Sequence, residues 1–211
     1  MDKYRIAVID DNGTKLDVLR NDFELYAPSF DTVGIIVNDA SWTKEKIIQK
    51  LKDNEIDAVV IDYLLKSTSN GVSFNGDKVV NELILEFRNL PVIMISEVKQ
   101  QAVESDINEF HFIDRREFSQ SREGYLLQIK KLIDNAKKIE KESEDEIIRL
   151  LNKNILTDDE KLKLVKLDNF LEESLLYESR LPNYYKDIKI GETLTEHINA
   201  LDKILMRLDD E

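Results

Sequence analysis

Ile6-Ala7-Val8-Ile9-Asp10-Asp11-Asn12 is an apolar run that stops abruptly on two adjacent carboxylates. Four apolar residues, three of them β-branched, followed by Asp-Asp-Asn read as a buried strand whose carboxyl end delivers two acids into a loop. The pattern recurs at Asp57-Ala58-Val59-Val60-Ile61-Asp62, which ends on another acid, and at Pro91-Val92-Ile93-Met94-Ile95-Ser96, which ends on a hydroxyl. Open α/β sheets gather functional groups beyond the carboxyl ends of their strands, near the point where strand order reverses. Three such endings therefore imply one site.

Working outward, Leu16, Leu19, Phe23 and Tyr26 draw an apolar stripe on a helix that ends near Pro28, and Val33 to Val37 reads as a short strand. Ile47, Ile48 and Leu51 mark a second helix. Gly76 opens a third, carrying Val79, Val80, Leu83, Ile84 and Phe87; Glu97 to Ile107 is a polar helix candidate, and Phe110 to Ile113 a fifth strand. Leu126, Ile129, Ile133 and Ala136 stripe the helix after it. Five strands alternating with helices imply a parallel sheet covered on both faces. Beyond about Asn135 the chain turns rich in Lys, Glu and Leu, with no strand-like run, so we divide it into residues 1–136 and a helical module over 137–211. Ser143 with Glu146, Thr157 with Glu160 and Thr193 with Glu196 each have the spacing of a capping box. Leu164, Leu167, Leu171 and Leu175 line one appended helix; Leu194, Ile198, Leu201, Leu205 and Leu208 line another at 4-3-4-3 spacing. Spacing alone leaves open whether the helix through Ala136 stops at Ser143 or continues. A module this small has a marginal core, so its last helix is expected to dock on a protein target or a second copy of the chain, or back on its own neighbours.

With 30 basic and 43 acidic side chains the net charge is −13, which disfavours a nucleic-acid partner bound by phosphate neutralisation. From Ala136 onward, 13 basic and 19 acidic residues give a net of −6, so the appendix lacks the basic surface of a DNA-binding output domain. There is no cysteine, hence no disulfide or thiolate metal site, and a cytoplasmic location is the plain reading. No apolar run approaches the roughly 20 residues that span a bilayer, so no membrane association is expected.

Two neighbouring acids plus a third about fifty positions on make an all-oxygen cluster suited to a hard cation such as Mg²⁺. Ser96 is placed to donate to a phosphoryl group at that cation, and Arg115, just past the fifth strand, to offset its charge. The same Asp-Asp pair could instead cap the following helix, Ser96 could be a turn hydroxyl, Phe112 a packing residue, and Arg115 and Arg116 solvated surface charges. His111 and His197 have no partner cluster and read as structural or exposed.

On Asp10-Asp11, Asp62, Ser96 and Phe112 the chain resembles the receiver domains of two-component response regulators, over residues 4 to 136. The resemblance implies a flavodoxin-like, doubly wound five-stranded parallel sheet of order 2-1-3-4-5, here with the all-α C-terminal extension. It implies that Asp62 accepts a phosphoryl group from a histidine kinase or histidine phosphotransfer protein. Asp11, Asp62 and the backbone carbonyl of Leu64 would ligate Mg²⁺, with Asp10 acting through water, and Ser96 and Phe112 would switch. Beyond self-phosphorylation from a donor and self-dephosphorylation it implies no enzyme activity. Output would run through protein contacts; the alternatives are a phosphate sink or relay and a phosphorylation-independent pseudo-receiver. Two departures bear on these readings. The family's lysine-proline is Arg115-Arg116 here, and arginine lacks the compact point charge of lysine. The stretch Leu65 to Asn75 is several residues longer than the usual connection and is expected to overhang the acceptor. A hydrolase of the haloacid dehalogenase type would need an acid two residues after its nucleophile, where Leu64 stands.

Overall fold

The apolar runs become strands because the sheet buries their side chains on one side or the other. In a computed structural model that describes residues 3–67, 71–87, 89–97, 112–153, 155–172 and 174, these strands are β1 (Tyr4–Asp10), β2 (Phe30–Ile36), β3 (Ala58–Asp62), β4 (Val92–Ser96) and β5 (Phe112–Asp114). They pair in parallel in the order β2-β1-β3-β4-β5. The helices are α1 (Gly13–Tyr26), α2 (Lys44–Asp53), α3 (Gly76–Glu86), α4 (Arg115–Gln120), α5 (Arg122–Leu151) and α6 (Asp158–Glu172). This is the flavodoxin-like order expected, and its reversal falls between β1 and β3, the strands that carry Asp10 and Asp62.

Alternation along each strand divides the core. Ala7, Ile9, Val59, Ile61, Val92 and Met94 face one layer with Ile47, Leu51, Val79 and Leu83 of α2 and α3. Ile6, Val8, Val60, Ile93 and Ile95 face the other with Leu16, Leu19 and Phe23 of α1, Phe118 of α4, and Leu126, Ile129 and Ile133 of α5. Because helices cover both faces, the central strands β1, β3 and β4 read as uninterrupted apolar runs, whereas the edge strand β2 alternates between buried and exposed positions.

Several details differ from the sequence reading. β2 begins at Phe30, three residues earlier than expected, because Phe30 is buried against Phe23 and pairs with Tyr4. Tyr26 is not on the core stripe; it is exposed at the end of α1. The short α4 was not expected, since six residues with one buried side chain, Phe118, carry no periodic signal. Val98 to Ile107, Phe110, His111, Leu175, the Thr193-Glu196 pair, His197 and the Leu194 to Leu208 series lie outside the described residues.

The chain forms two compact units, Met1–Ile139 and, among the described residues, Glu140–Glu172. In the second, Ile147 and Leu150 of α5 pack with Leu164 and Leu171 of α6. Thr157 and Glu160 form the reciprocal capping box: Thr157 N donates to Glu160 Oε2 at 3.1 Å and Glu160 N to Thr157 Oγ1 at 3.3 Å. Ser143 and Glu146 do not cap anything. α5 runs through them without a break, Ser143 is buried, and the Glu146 carboxylate is engaged by Arg149 at 2.6 Å and Lys163 at 2.5 Å. With no Gly or Pro between Gly124 and Leu151, nothing in the chain stops the helix.

The two readings of residue 144 separate cleanly. Proline suits the first turn of a helix that starts at Ser143 but removes a hydrogen bond and clashes inside a continuous one. We expect Glu144→Pro to cost about 3 kcal/mol or more in urea melts, with loss of helical circular dichroism; an unchanged melt would mean that a helix starts there.

Candidate functional site

The site begins with how each strand ends. β1 delivers Asp10 almost wholly buried, 1% exposed, and its Oδ1 accepts the backbone N–H of Asn12 at 2.9 Å. Asn12, not the Asp pair, caps α1: its Oδ1 accepts from Thr14 N at 2.9 Å and Lys15 N at 3.2 Å. Asp11 is half-buried and has no part in that cap. β3 delivers Asp62, 5% exposed. Just beyond it, Gly76 N donates to Tyr63 O at 2.8 Å. A Cβ on Gly76 would lie 2.1 Å from the Asp62 carbonyl oxygen, so only glycine lets α3 start against the end of β3.

Register places the remaining groups. Ile95 lies opposite Asp62, which sets Ser96 one step further on, fully buried at the end of β4. Phe112 starts β5 opposite Met94 and packs half-buried on the α2–α3 side of the core. Asp114 caps α4 by accepting from Arg116 N at 2.8 Å and Glu117 N at 3.4 Å, which fixes Arg115 as the first helical residue at the strand end. The Arg115 guanidinium then turns onto the acids: Nη2 donates to Asp10 Oδ2 at 2.9 Å and to Asp62 Oδ1 at 3.2 Å. Its Nε is buried without a hydrogen-bond partner. Arg115 is thus an ion-pair partner of the site rather than a solvated surface charge.

One carboxylate oxygen each from Asp10, Asp11 and Asp62 lies within 4.8 Å of the others. Opposite ligands of an octahedral ion at about 2.1 Å stand about 4.2 Å apart and adjacent ones about 3 Å, so these oxygens reach Mg²⁺ directly or through one water with shifts of no more than about 2 Å. The electrostatics also favour a cation. Burial, reinforced by Asp10, pushes the Asp62 carboxyl up to about 6 despite the opposing pull of Arg115 and Lys15. Burial and then Asp10 also raise Asp11. One guanidinium shared by two acids leaves repulsion that a divalent ion relieves. The residues present therefore fit Mg²⁺.

The connection after β3 does not hang free on its described parts. Leu65 and Val72 are buried with the α2–α3 layer, Lys66 N donates to Asn75 Oδ1 at 3.1 Å, and Gly71, at φ +71°, sits where a Cβ would be 3.1 Å from Ala40 Cβ. Residues 68–70 lie outside the described residues. Sequence reasoning missed Lys15, in the first turn of α1, whose Nζ lies 3.6 Å from a carboxylate oxygen of Glu97, the residue after Ser96. A lysine four positions after Asp11 was the available signal; its partner is too distant in sequence to be read.

The chain is similar in structure to a response regulator receiver domain protein from Clostridium thermocellum, at 16% identity and a TM-score of 0.47, covering 64% of this chain and 98% of that one. Similar figures, 16%, 0.47, 64% and 97%, hold for a response regulator receiver protein from Sinorhizobium medicae. The two-component response regulator RcsB, solved as a complex with DNA, matches at 11% identity and a TM-score of 0.47, over 84% of this chain and 94% of that one. No family model and no curated protein matches the sequence. The strand order is that of the flavodoxin-like receiver fold expected from the sequence.

The raised Asp62 pKa has a signed consequence. Between pH 4 and 6 the unfolded chain releases a proton that the native state keeps, so stability without divalent ions falls as pH rises through that window and stays lower above it. Asp62→Asn removes this effect. It should melt higher than the parent at pH 7.5 in a chelator, by at most about 3 kcal/mol, with the gain shrinking toward pH 4 and on adding Mg²⁺ to the parent. A variant less stable than the parent at pH 7.5 would show that the Arg115 pairing outweighs the repulsion.

Proposed function

We propose that this protein is a phosphoacceptor signalling module in which Asp62 takes a phosphoryl group, in a Mg²⁺-dependent reaction, from a histidine kinase or histidine phosphotransfer protein. The observation that carries this reading is the placement of Asp62: a buried acid at the end of β3, at the sheet's topological reversal, grouped with Asp10 and Asp11 and bonded by Arg115.

The residues divide the work. An ionised Asp62 Oδ attacks phosphorus; the new O–P bond forms as the donor's N–P or O–P bond breaks, and the leaving group keeps the electron pair. Asp11, Asp62 and the Leu64 carbonyl would hold Mg²⁺, with Asp10 supporting through water. Bound there, the ion would neutralise charge on the acids and on the transferring group. Arg115, with an unused Nε, offers a second donor to the phosphoryl oxygens. Ser96 is the hydroxyl that would turn to the modified acid, with Phe112 moving in step. Output would pass through protein contacts made by the helical C-terminal module, whose charge is acidic. Among the described residues no helix is long and apolar enough to cross a membrane, and we place the protein in the cytoplasm.

A second reading follows from the Arg115 bridge itself. A guanidinium already bonded to both Asp10 and Asp62 also suits a pseudo-receiver, whose site is neutralised for good and whose surface alone matters.

Intact mass after incubation with acetyl phosphate and Mg²⁺ separates the two. The parent should gain one phosphoryl increment, Asp62→Asn none, and chelation should slow the gain at least tenfold. A parent that never gains mass is the pseudo-receiver.

A further inference from the structure

Among the described residues, two cations act on the acidic cluster, and they are held in opposite ways. Arg115 is mostly buried and bonded to two acids. Lys15 is well exposed, at 39%, and its partner Glu97 more so, at 52%, with 3.6 Å between the charged atoms. Such a solvent-screened pair, longer than a hydrogen bond, is cheap to break. Its ends are informative: Lys15 belongs to the α1 side of the site, four residues after Asp11, and Glu97 follows Ser96 on the β4 side. Lys15 is also among the charges that hold the Asp62 and Asp11 carboxyls down. Its position is unfavourable for the helix, since a cation in the first turn opposes the helix dipole and α1 has no acid there to compensate.

Resting on the reading of Asp62 as phosphoacceptor, we propose that Lys15 and Glu97 form an electrostatic gate on this site. Lys15 steers the incoming phosphoryl group, and Glu97 holds the ammonium away until the donor arrives. Among the described residues, a phosphodonor brings negative charge toward Asp10, Asp11, Asp62 and Glu97, opposed by Arg115 and Lys15; the formal balance is −2, and a bound divalent ion would bring it only to zero. A mobile cation that meets the donor therefore makes the approach attractive. Arg115, fixed on two carboxylates, cannot leave them without exposing that repulsion; Lys15 can leave Glu97 for phosphoryl oxygens at little cost. The transfer itself is unchanged: with acetyl phosphate, the O–P bond to acetate breaks as the Asp62 O–P bond forms, and acetate departs with the electron pair. Lys15 acts here as a positioning residue.

The gate predicts effects of opposite sign, which a merely structural role does not produce. In the full-length protein, with saturating Mg²⁺ and low salt, Lys15→Gln should slow phosphoryl gain from acetyl phosphate about tenfold, Glu97→Gln should speed it severalfold, and Lys15→Arg should restore most of the rate. Mg²⁺ affinity, read by calorimetry without any donor, should move the other way, tightening in Lys15→Gln and loosening in Glu97→Gln. Both rate effects should shrink at 0.5 M salt, because the screening length there is about 4 Å. Glu97→Gln made in the Lys15→Gln background should change the rate by less than it does in the parent. A parent that is labelled normally while Lys15→Gln stays within twofold of it overturns the gate alone, as do rate and Mg²⁺ affinity moving in the same direction. A parent that takes no phosphoryl group at all overturns the gate together with the reading on which it rests.

Discussion

Two carboxylates, Asp10 and Asp62, are buried side by side with one guanidinium between them. Burying an incompletely paired charge costs several kcal/mol, and a chain free to do so would turn one acid outward. This one is not free. Ile9 lies opposite Ile61 on paired strands, and their side chains are locked in the α2–α3 layer, so the next residues leave the ladder together. The fold thus holds apart what Coulomb repulsion would separate further, and holds together what solvent would draw out. Gly76 tightens the arrangement from behind, because the start of α3 presses on the Asp62 carbonyl with no room for a side chain.

The same constraint explains the unusual arginine. Asp114 both ends β5 and caps α4, so residue 115 emerges beside the acids with little choice of direction. A guanidinium there can present one nitrogen to two acceptors and still keep a donor in reserve. Lysine would offer a single point charge. The acids, the arginine and the exposed Lys15–Glu97 pair form a graded set: fixed negative charge, fixed positive charge, and one positive charge that is loosely held.

The strands were the legible part of the sequence, because a strand covered on both faces must be apolar at every position, and few other segments are. The strand order and the gathering of Asp10, Asp11 and Asp62 follow from that pattern plus the resemblance it supports. What escaped reading depends on distant or weak information. The early start of β2 depends on Phe30 meeting Phe23 and Tyr4, which Asp31 and Thr32 obscure locally. Ser143 and Glu146 have a capping spacing, yet Glu146 is drawn to Arg149 and Lys163, and an unbroken helix satisfies the backbone better than a start there would. Thr157 and Glu160 have the same spacing and do cap α6, because the turn before them breaks the chain. Lys15 looked like any surface lysine until Glu97 and the acids were placed around it.

The account rests on an acidic cluster whose repulsion outweighs its pairing with Arg115. The most direct measurement is a pH titration of the Asp62 side-chain carboxyl carbon by NMR, with and without Mg²⁺. The account predicts a midpoint near 6 in a chelator and a clear fall below the ordinary aspartate value of 3.8 when Mg²⁺ is bound. A midpoint at the ordinary value in both conditions would contradict it, because Arg115 alone would then satisfy the acids and leave nothing for a divalent ion to relieve.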